Sequence, residues 1–119
     1  FAPHHEIHPD MIRADITRVS RVKDMIMDSL EQNISLDEFS LDVGLSRYHL
    51  VRSFKDAFGQ SPHAFQLDQR IKKAKLMLQT GRSLIDTASD LGFADQSHFQ
   101  RHFKKRMAVT PKHYQSFFV

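Results

Sequence analysis

The chain has 119 residues, a formal net charge of +3 and 40% apolar residues. This length fits one compact domain, or two very small ones that share packing, and the apolar fraction is enough for a core. There is no Cys, which excludes disulfides, thiolate metal sites and cysteine nucleophiles. No apolar run reaches the roughly 18 residues that a membrane helix needs. The first residue is Phe rather than Met, so we expect a piece of a longer protein.

In chain order, residues 1–14 lack an apolar period and predict a flexible arm or linker. Residues 15–60 predict a first helix-turn-helix subdomain. Its opening helix carries an apolar stripe from Ile16 to Leu30 and is expected to end near Asn33. Two shorter helices follow. The first is expected to begin at Ser35, which forms a capping box with Glu38, and to end at Gly44. The second is expected to begin at Ser46 and to end at about Phe58-Gly59.

Residues 61–81 predict a long linker helix that opens at Ser61-Pro62. Its expected buried stripe is Ala64, Leu67, Ile71, Ala74 and Leu78, and its other faces are expected to carry Arg70, Lys72, Lys73 and Lys75. A helix of about 18 residues spans roughly 27 Å. Because successive major grooves on one face of DNA lie about 34 Å apart, such a helix suits recognition helices in adjacent grooves.

Residues 82–119 predict a second helix-turn-helix subdomain that repeats the first at an offset of 48 to 49 residues. Ser35-Leu36 and Asp42-Val43-Gly44-Leu45 return as Ser83-Leu84 and Asp90-Leu91-Gly92-Phe93. The second basic helix is expected from about Asp95 to Met107, followed by a last short helix after Thr110-Pro111. No segment shows the alternation of apolar and polar residues that indicates a β-strand. The sequence therefore predicts an all-α fold of about seven helices, with two helix-turn-helix subdomains joined by a linker helix.

The basic helix of each copy has one apolar face, so its opposite face is fixed by helical geometry. The inward pairs are Leu50 with Phe54 and Phe99 with Phe103. The outward side chains that we expect to contact bases are Arg47, Tyr48, Val51 and Arg52 in copy one, and Gln96, Ser97, Gln100 and Arg101 in copy two. An Arg side chain can donate two hydrogen bonds to guanine, and a Gln side chain can form a pair of hydrogen bonds with adenine. Val51 or the Tyr48 ring can pack against the methyl group of thymine. The expected phosphate contacts are Lys55, Lys104, Lys105 and His98.

Residues 16–118 resemble the DNA-binding domain of the AraC/XylS family of bacterial transcription regulators. The resemblance is carried by Ser61-Pro62, Phe65, Arg70 and Lys72-Lys73-Ala74, and above all by residues 84–114, LIDTASDLGFADQSHFQRHFKKRMAVTPKHY. It implies seven helices, two helix-turn-helix units and transcription regulation without catalysis. It also implies an effector-binding or dimerisation domain, expected N-terminal to this piece.

The expected partner is double-stranded DNA with two unlike half-sites about one helical turn apart, and RNA polymerase is a further expected partner. We expect no cofactor and no membrane association, and a cytoplasmic location at the nucleoid. Three positions depart from the family pattern, and one of them is Val51, which places an apolar side chain where polar base-contacting residues are frequent. Ala108 stands where Gly is usual, so that turn has to form without easy positive φ. Ser40 replaces the common Ala, and its hydroxyl is expected to bond back to a carbonyl one turn earlier.

Two other functions compete with specific DNA binding. A non-specific architectural binder would use the basic linker region, where residues 61–82 have a net charge of +4. A protein-interaction module would instead use the acidic N-terminal half. Metal binding is not expected, because His4, His5 and His8 lie in the predicted arm, and His98 with His102 has no evident third ligand. Asp95, Ser97 and His98 are too crowded along one helical turn to form a catalytic triad.

Overall fold

The structure is a computed structural model that describes residues 9–119. These residues form seven α-helices and no β-strand, which confirms the predicted all-α fold. The helices are α1 (Pro9–Asp28), α2 (Leu36–Val43), α3 (Arg47–Phe58), α4 (Pro62–Gln79), α5 (Leu84–Asp90), α6 (Gln96–Met107) and α7 (Pro111–Gln115). No helix in residues 9–119 is long and apolar enough to cross a bilayer.

The described residues divide into two compact units. Unit 1 contains the residues up to Ile26 together with Ile34–Pro62, and it includes α2 and α3. Unit 2 contains Met27–Asn33 and His63–Val119, and it includes α5, α6 and α7. Each unit therefore holds one copy of the repeat.

The first helix differs from its prediction at both ends. It begins at Pro9, so residues 9–14 are helical rather than part of an arm, and it ends at Asp28, short of Asn33. Proline suits the first helical position because its missing N–H has no partner there. Asp10 follows in the first turn and accepts a hydrogen bond from Arg13 at 2.9 Å. Hydrophobic periodicity does not predict this start, because Met11 and Ile12 are exposed and do not extend the buried stripe of the helix. His4, His5 and His8 lie outside the described residues.

Side-chain caps start the helices of both repeats as predicted. Ser35 Oγ accepts from the Glu38 N–H at 3.1 Å, and the Glu38 carboxylate accepts from the Ser35 N–H, which completes the capping box. The other capping side chains are Ser46, Ser83, Asp95 and Thr110. These caps fix where α2, α3, α5, α6 and α7 begin.

Each unit is built on its own apolar core. In unit 1 the buried residues are Val19, Val22, Ile26, Phe39, Val43, Leu45, Leu50 and Phe54. In unit 2 they include Leu67, Ile71, Ala74, Leu78, Ala88, Leu91, Phe93, Phe99 and Phe103. The inward direction predicted for Leu50, Phe54, Phe99 and Phe103 is confirmed, since all four are fully buried.

Arg70 contradicts its prediction as an exposed basic residue of the linker helix, because it is only 2% exposed. Its guanidinium donates to the Leu30 carbonyl at 2.6 Å, to Asn33 Oδ1 at 2.9 Å and to the Gln32 and Gly92 carbonyls at longer range. These acceptors belong to the segment after α1 and to the turn of the second repeat. Arg70 therefore ties the segment after α1 to the rest of unit 2, and it donates to backbone carbonyls that have no partner within a helix.

Two further local predictions are corrected. Ser40 Oγ is buried and has no hydrogen-bond partner among residues 9–119, so the expected bond back to a carbonyl is absent. Ala108 adopts φ +65°, so the turn after α6 keeps the left-handed conformation despite lacking Gly. The Ala108 N–H donates to the Lys104 carbonyl at 2.8 Å, and this bond closes the last turn of α6.

Candidate nucleic-acid interface

In unit 1 the candidate interface is the outer face of α3. Gly44 turns the chain at φ +72°, and Ser46 then caps α3 by accepting from the His49 N–H. Since Leu50 and Phe54 are fully buried, the opposite face is turned to solvent. On that face Arg47, Tyr48, Arg52 and Lys55 are exposed, and Val51 is half-buried.

Two of the outward arginines in unit 1 have side-chain partners. Arg52 donates from Nη1 to the Tyr48 hydroxyl at 3.2 Å, one helical turn away. Arg47 Nε lies 3.4 Å from Asp37 Oδ1 on α2. Spacing along the chain does not identify Asp37 as a partner of Arg47, because its position relative to α3 depends on how the turn folds. Both contacts are exposed, so water and salt screen them and DNA can replace them at little cost.

In unit 2 the candidate interface is the outer face of α6. Asp95 caps the helix by accepting from the His98 N–H at 2.7 Å, and Phe99 and Phe103 are fully buried. Ser97, Arg101, Lys104 and Lys105 are exposed, whereas Gln96 and Gln100 are half-buried. Arg101 makes no hydrogen bond or ion pair with the residues that the structure describes. Its guanidinium is therefore free to fork onto a base edge.

His98 is half-buried, and neither of its ring nitrogens is placed for the phosphate contact expected from the sequence. Its ring packs edge-on against Phe93, with ring centres 5.5 Å apart. Its Nε2 lies 3.0 Å from His102 Nε2, and its Nδ1 is buried without a partner within residues 9–119. Neither ring nitrogen is available to a phosphate unless the helix repacks.

A family model described as a helix-turn-helix domain matches residues 39–116, which spans α3 to α7 and both turns. A crystal structure from Chromobacterium violaceum of a regulator described as AraC-type is 25% identical, with a TM-score of 0.75 over 87% of this chain and 94% of that one.

The chain belongs to the AraC/XylS family of transcription regulators.

Among relatives of this AraC-type domain is the HTH-type transcriptional regulator MtrA of Neisseria gonorrhoeae. It is 33% identical over 98 residues, which are 82% of this chain and 33% of MtrA. The DNA-binding domain of the transcription factor AdpA, solved with a target DNA, shares the fold at 20% identity, with a TM-score of 0.79 over 85% of this chain and 92% of that one. The AraC-type domain spans about a third of the length of the curated relatives it matches.

Membership of this family makes the chain a helix-turn-helix DNA-binding domain rather than an enzyme. Its own side chains agree with that role. The two recognition helices present guanidinium, amide and hydroxyl groups, which are the side-chain types that read base edges.

The two units of the AraC-type domain differ in charge. The described residues of unit 1 carry seven basic and seven acidic side chains, so their net charge is zero. Unit 2 carries ten basic and six acidic side chains, a net charge of +4. Attraction to a phosphate backbone is therefore concentrated in unit 2.

An aspartate of the repeat is ion-paired in both units. In unit 1 Asp42 accepts from Arg21 Nε, and the hydrogen bond from Arg21 holds the pKa of Asp42 below its usual value. In unit 2 Asp90 accepts from Arg82 at 2.7 Å, and this hydrogen bond raises the pKa of Arg82. Sequence spacing shows that Asp42 and Asp90 are equivalent, but it does not show their arginine partners, because Arg21 and Arg82 precede the matching stretches that begin at Ser35 and Ser83.

Proposed function

We propose that the domain regulates transcription by placing α3 and α6 in neighbouring major grooves of one DNA duplex. The observation that carries the proposal is that each unit buries one apolar face of its recognition helix and turns to solvent a largely polar face that carries basic side chains. A helix fits the major groove of B-DNA, where each base pair shows a distinct pattern of donors and acceptors.

The outer faces of α3 and α6 carry different side chains, so we propose that the two helices bind unlike half-sites about one helical turn apart. The proposed base-contacting residues of unit 1 are Arg47, Tyr48, Val51 and Arg52, and those of unit 2 are Gln96, Ser97, Gln100 and Arg101. The guanidinium of Arg favours guanine because it can donate to both O6 and N7, and the amide of Gln favours adenine because it can bond to both N6 and N7. The half-buried Val51 suits contact with a thymine methyl. We therefore expect an asymmetric site rather than a palindrome.

Lys55, Lys104 and Lys105 are proposed to hold phosphates, since each is exposed on a recognition helix. Unit 2 carries all of the net positive charge of the described residues, so we assign it the larger share of the salt-dependent binding energy. Unit 1, with no net charge, contributes relatively more through direct reading of bases.

For the full-length regulator we propose an effector-binding or dimerisation domain N-terminal to this one, because the chain covers only about a third of its relatives. RNA polymerase is the proposed protein partner, and the nucleoid in the cytoplasm is the proposed location. The complex of AdpA with a target DNA supports the mode of binding, since that domain has the same fold.

The test is selection of bound duplexes from a random library, followed by footprinting on the selected and scrambled sequences. Specific binding predicts a consensus that protects two adjacent major grooves. Equal binding of selected and scrambled duplexes would instead support a non-specific architectural role. Failure to bind any duplex at low salt would support a protein-interaction module.

A further inference from the structure

A chain of polar contacts lies behind the recognition face of α6 and joins this helix to α4. Arg106 Nε donates to Asp68 Oδ1 on α4 at 2.7 Å. Arg106 Nη1 lies 3.3 Å from His102 Nδ1, and His102 Nε2 lies 3.0 Å from His98 Nε2. We call Asp68, Arg106, His102 and His98 the relay. All four members are half-buried, and all belong to unit 2.

The positions of the protons in the relay follow from the chemistry of Arg106. A guanidinium is always a donor, so His102 Nδ1 has to accept and carries no proton. Neutral His102 therefore bears its proton on Nε2 and donates it to His98 Nε2. His98 then carries its own proton on Nδ1, the nitrogen that is buried without a partner among the described residues. Only this one arrangement satisfies every contact when both rings are neutral.

A second proton disrupts this arrangement. Protonation of His102 at Nδ1 turns an N–H toward the Arg106 guanidinium, and protonation of His98 at Nε2 turns an N–H toward the His102 N–H. The groups around His102 oppose its charge as well. Burial lowers the pKa of His102, and the charges of four neighbours add to this effect: His98, Arg106, His63 and Arg101. Asp68 is the one acidic member of the relay, and it bonds to Arg106.

We propose that Asp68, Arg106 and His102 are positioning residues for α6, and that DNA binding by unit 2 requires the relay in its neutral state. The inference rests on the proposed function. Arg101 lies on α6 next to His102 in sequence, and Lys104 follows it within one turn. Movement of the helix on α4 therefore displaces a proposed base contact and a proposed phosphate contact together. A solvent-facing His beside DNA would have the opposite effect, since its protonation adds attraction to phosphates.

The relay also argues against a metal site at the two histidines. A metal ion bound to both Nε2 atoms would move the His102 proton to Nδ1, where it would face the Arg106 guanidinium. The contact with Arg106 therefore disfavours chelation of a metal ion by this histidine pair, although the two residues are spaced by one helical turn.

The first experiment tests the relay without DNA. Long-range 15N–1H NMR spectra of the chain near pH 7.5 report which ring nitrogen of each His is protonated. We expect the Nε2–H tautomer for His102 and the Nδ1–H tautomer for His98, and loss of this preference at His102 in Arg106→Met. A His102 that carries its proton on Nδ1 would overturn the proposal, whatever the DNA result.

The second experiment measures Kd for the selected duplex from about pH 7.5 to 5, at constant ionic strength. We expect binding of the unmodified chain to weaken by about three- to tenfold as pH falls, because only the fraction of molecules with a neutral relay is competent to bind. His102→Gln should flatten this profile. His113→Gln, which replaces an exposed histidine of α7, should leave it unchanged.

Three outcomes can be separated. Absence of specific binding near pH 7.5 would overturn the proposed function but leave the NMR result as a test of the relay. Specific binding that strengthens toward pH 5, or a His102→Gln profile as steep as that of the unmodified chain, would overturn the inference alone. Far-UV circular dichroism at each pH separates repositioning of α6 from unfolding.

Discussion

The main-chain carbonyl of Glu31 occupies the space that a Cβ on Gly92 would need. Gly44, the equivalent glycine of the first repeat, has no atom within 4 Å of the corresponding position. Both glycines have positive φ, at +81° and +72°. Two turns with the same sequence signature are therefore constrained differently, one by conformation alone and the other by conformation together with close backbone approach.

The pair Gly92→Ala and Gly44→Ala tests this difference. Gly44→Ala should cost about 1–2 kcal/mol, which is the penalty of the left-handed region for a residue with a Cβ. Gly92→Ala should cost roughly 3 kcal/mol or more, because the Cβ also forces the Glu31 backbone away. Urea denaturation followed by circular dichroism measures both. Equal losses would show that the contact with Glu31 does not constrain the turn.

Ala108 allows the reverse substitution, from Ala to Gly, at a residue with positive φ. It holds φ +65° at the end of α6, where the left-handed conformation costs about 1–2 kcal/mol for Ala. Ala108→Gly removes this strain, and the extra freedom of Gly in the unfolded chain offsets about 0.5–1 kcal/mol of the gain. We expect a net increase of about 0.5–1 kcal/mol in the free energy of unfolding. A decrease would mean that the Ala108 side chain contributes contacts that outweigh its strain.

Arg70 should be indispensable for the stability of unit 2. Burial lowers the pKa of its guanidinium, and the charge of Glu31 partly compensates. Arg70→Met leaves the Leu30 and Gln32 carbonyls without this donor, and we expect a loss of about 3 kcal/mol in the free energy of unfolding. Arg82→Met is the matched control, since Arg82 and its partner Asp90 are exposed, and its effect should be much smaller. Similar losses in thermal melts of the two variants would contradict this account of Arg70.

The pKa of His102 sets the direction of a pH effect on stability. Because the folded pKa lies below the unfolded value near 6.5, the unfolded chain binds the proton first as pH falls. The contribution of His102 is then zero above about pH 7 and increasingly destabilising below about pH 6.5, until the folded state is protonated too. Tm measured across this range should fall less in His102→Gln than in the unmodified chain. A steeper fall in the variant would contradict a lowered pKa.

Arg101 and Lys104 should differ in how they affect DNA binding. Arg101→Ala should cost about 1–3 kcal/mol on the selected duplex and relax one base position. Lys104→Ala should weaken binding to all sequences and reduce the slope of log K against log salt by about one unit. Titrations on selected and scrambled duplexes at several salt concentrations separate the two effects. Equal loss on both duplexes for Arg101→Ala would assign Arg101 to a phosphate.

The sequence predicts the parts of this fold that depend on neighbours along the chain. Caps such as Ser35 and Ser46, and the inward direction of Phe99 and Phe103, follow from the sequence pattern, because they depend on residues within one or two helical turns. The burial of Arg70 is not predictable in this way, since its acceptors at Leu30 and Asn33 lie about forty residues earlier in the chain.

The candidate interface is likewise predictable from the sequence only in part. The outward faces of α3 and α6 follow from the repeat, whereas the contact of Arg47 with Asp37 and that of Arg106 with Asp68 depend on tertiary packing. His98 illustrates the consequence. Its place on a basic helix suggested a phosphate contact, but its partner His102 and the ring of Phe93 enclose it.

The central claim is that the two units read unlike half-sites, and symmetrised duplexes test it most directly. Once a site has been selected, Kd is compared for that duplex and for two variants, each carrying two copies of one half-site at the same spacing. We predict that both variants bind at least about tenfold more weakly, a loss of about 1.4 kcal/mol. A symmetrised duplex that binds as tightly as the selected one would contradict the claim.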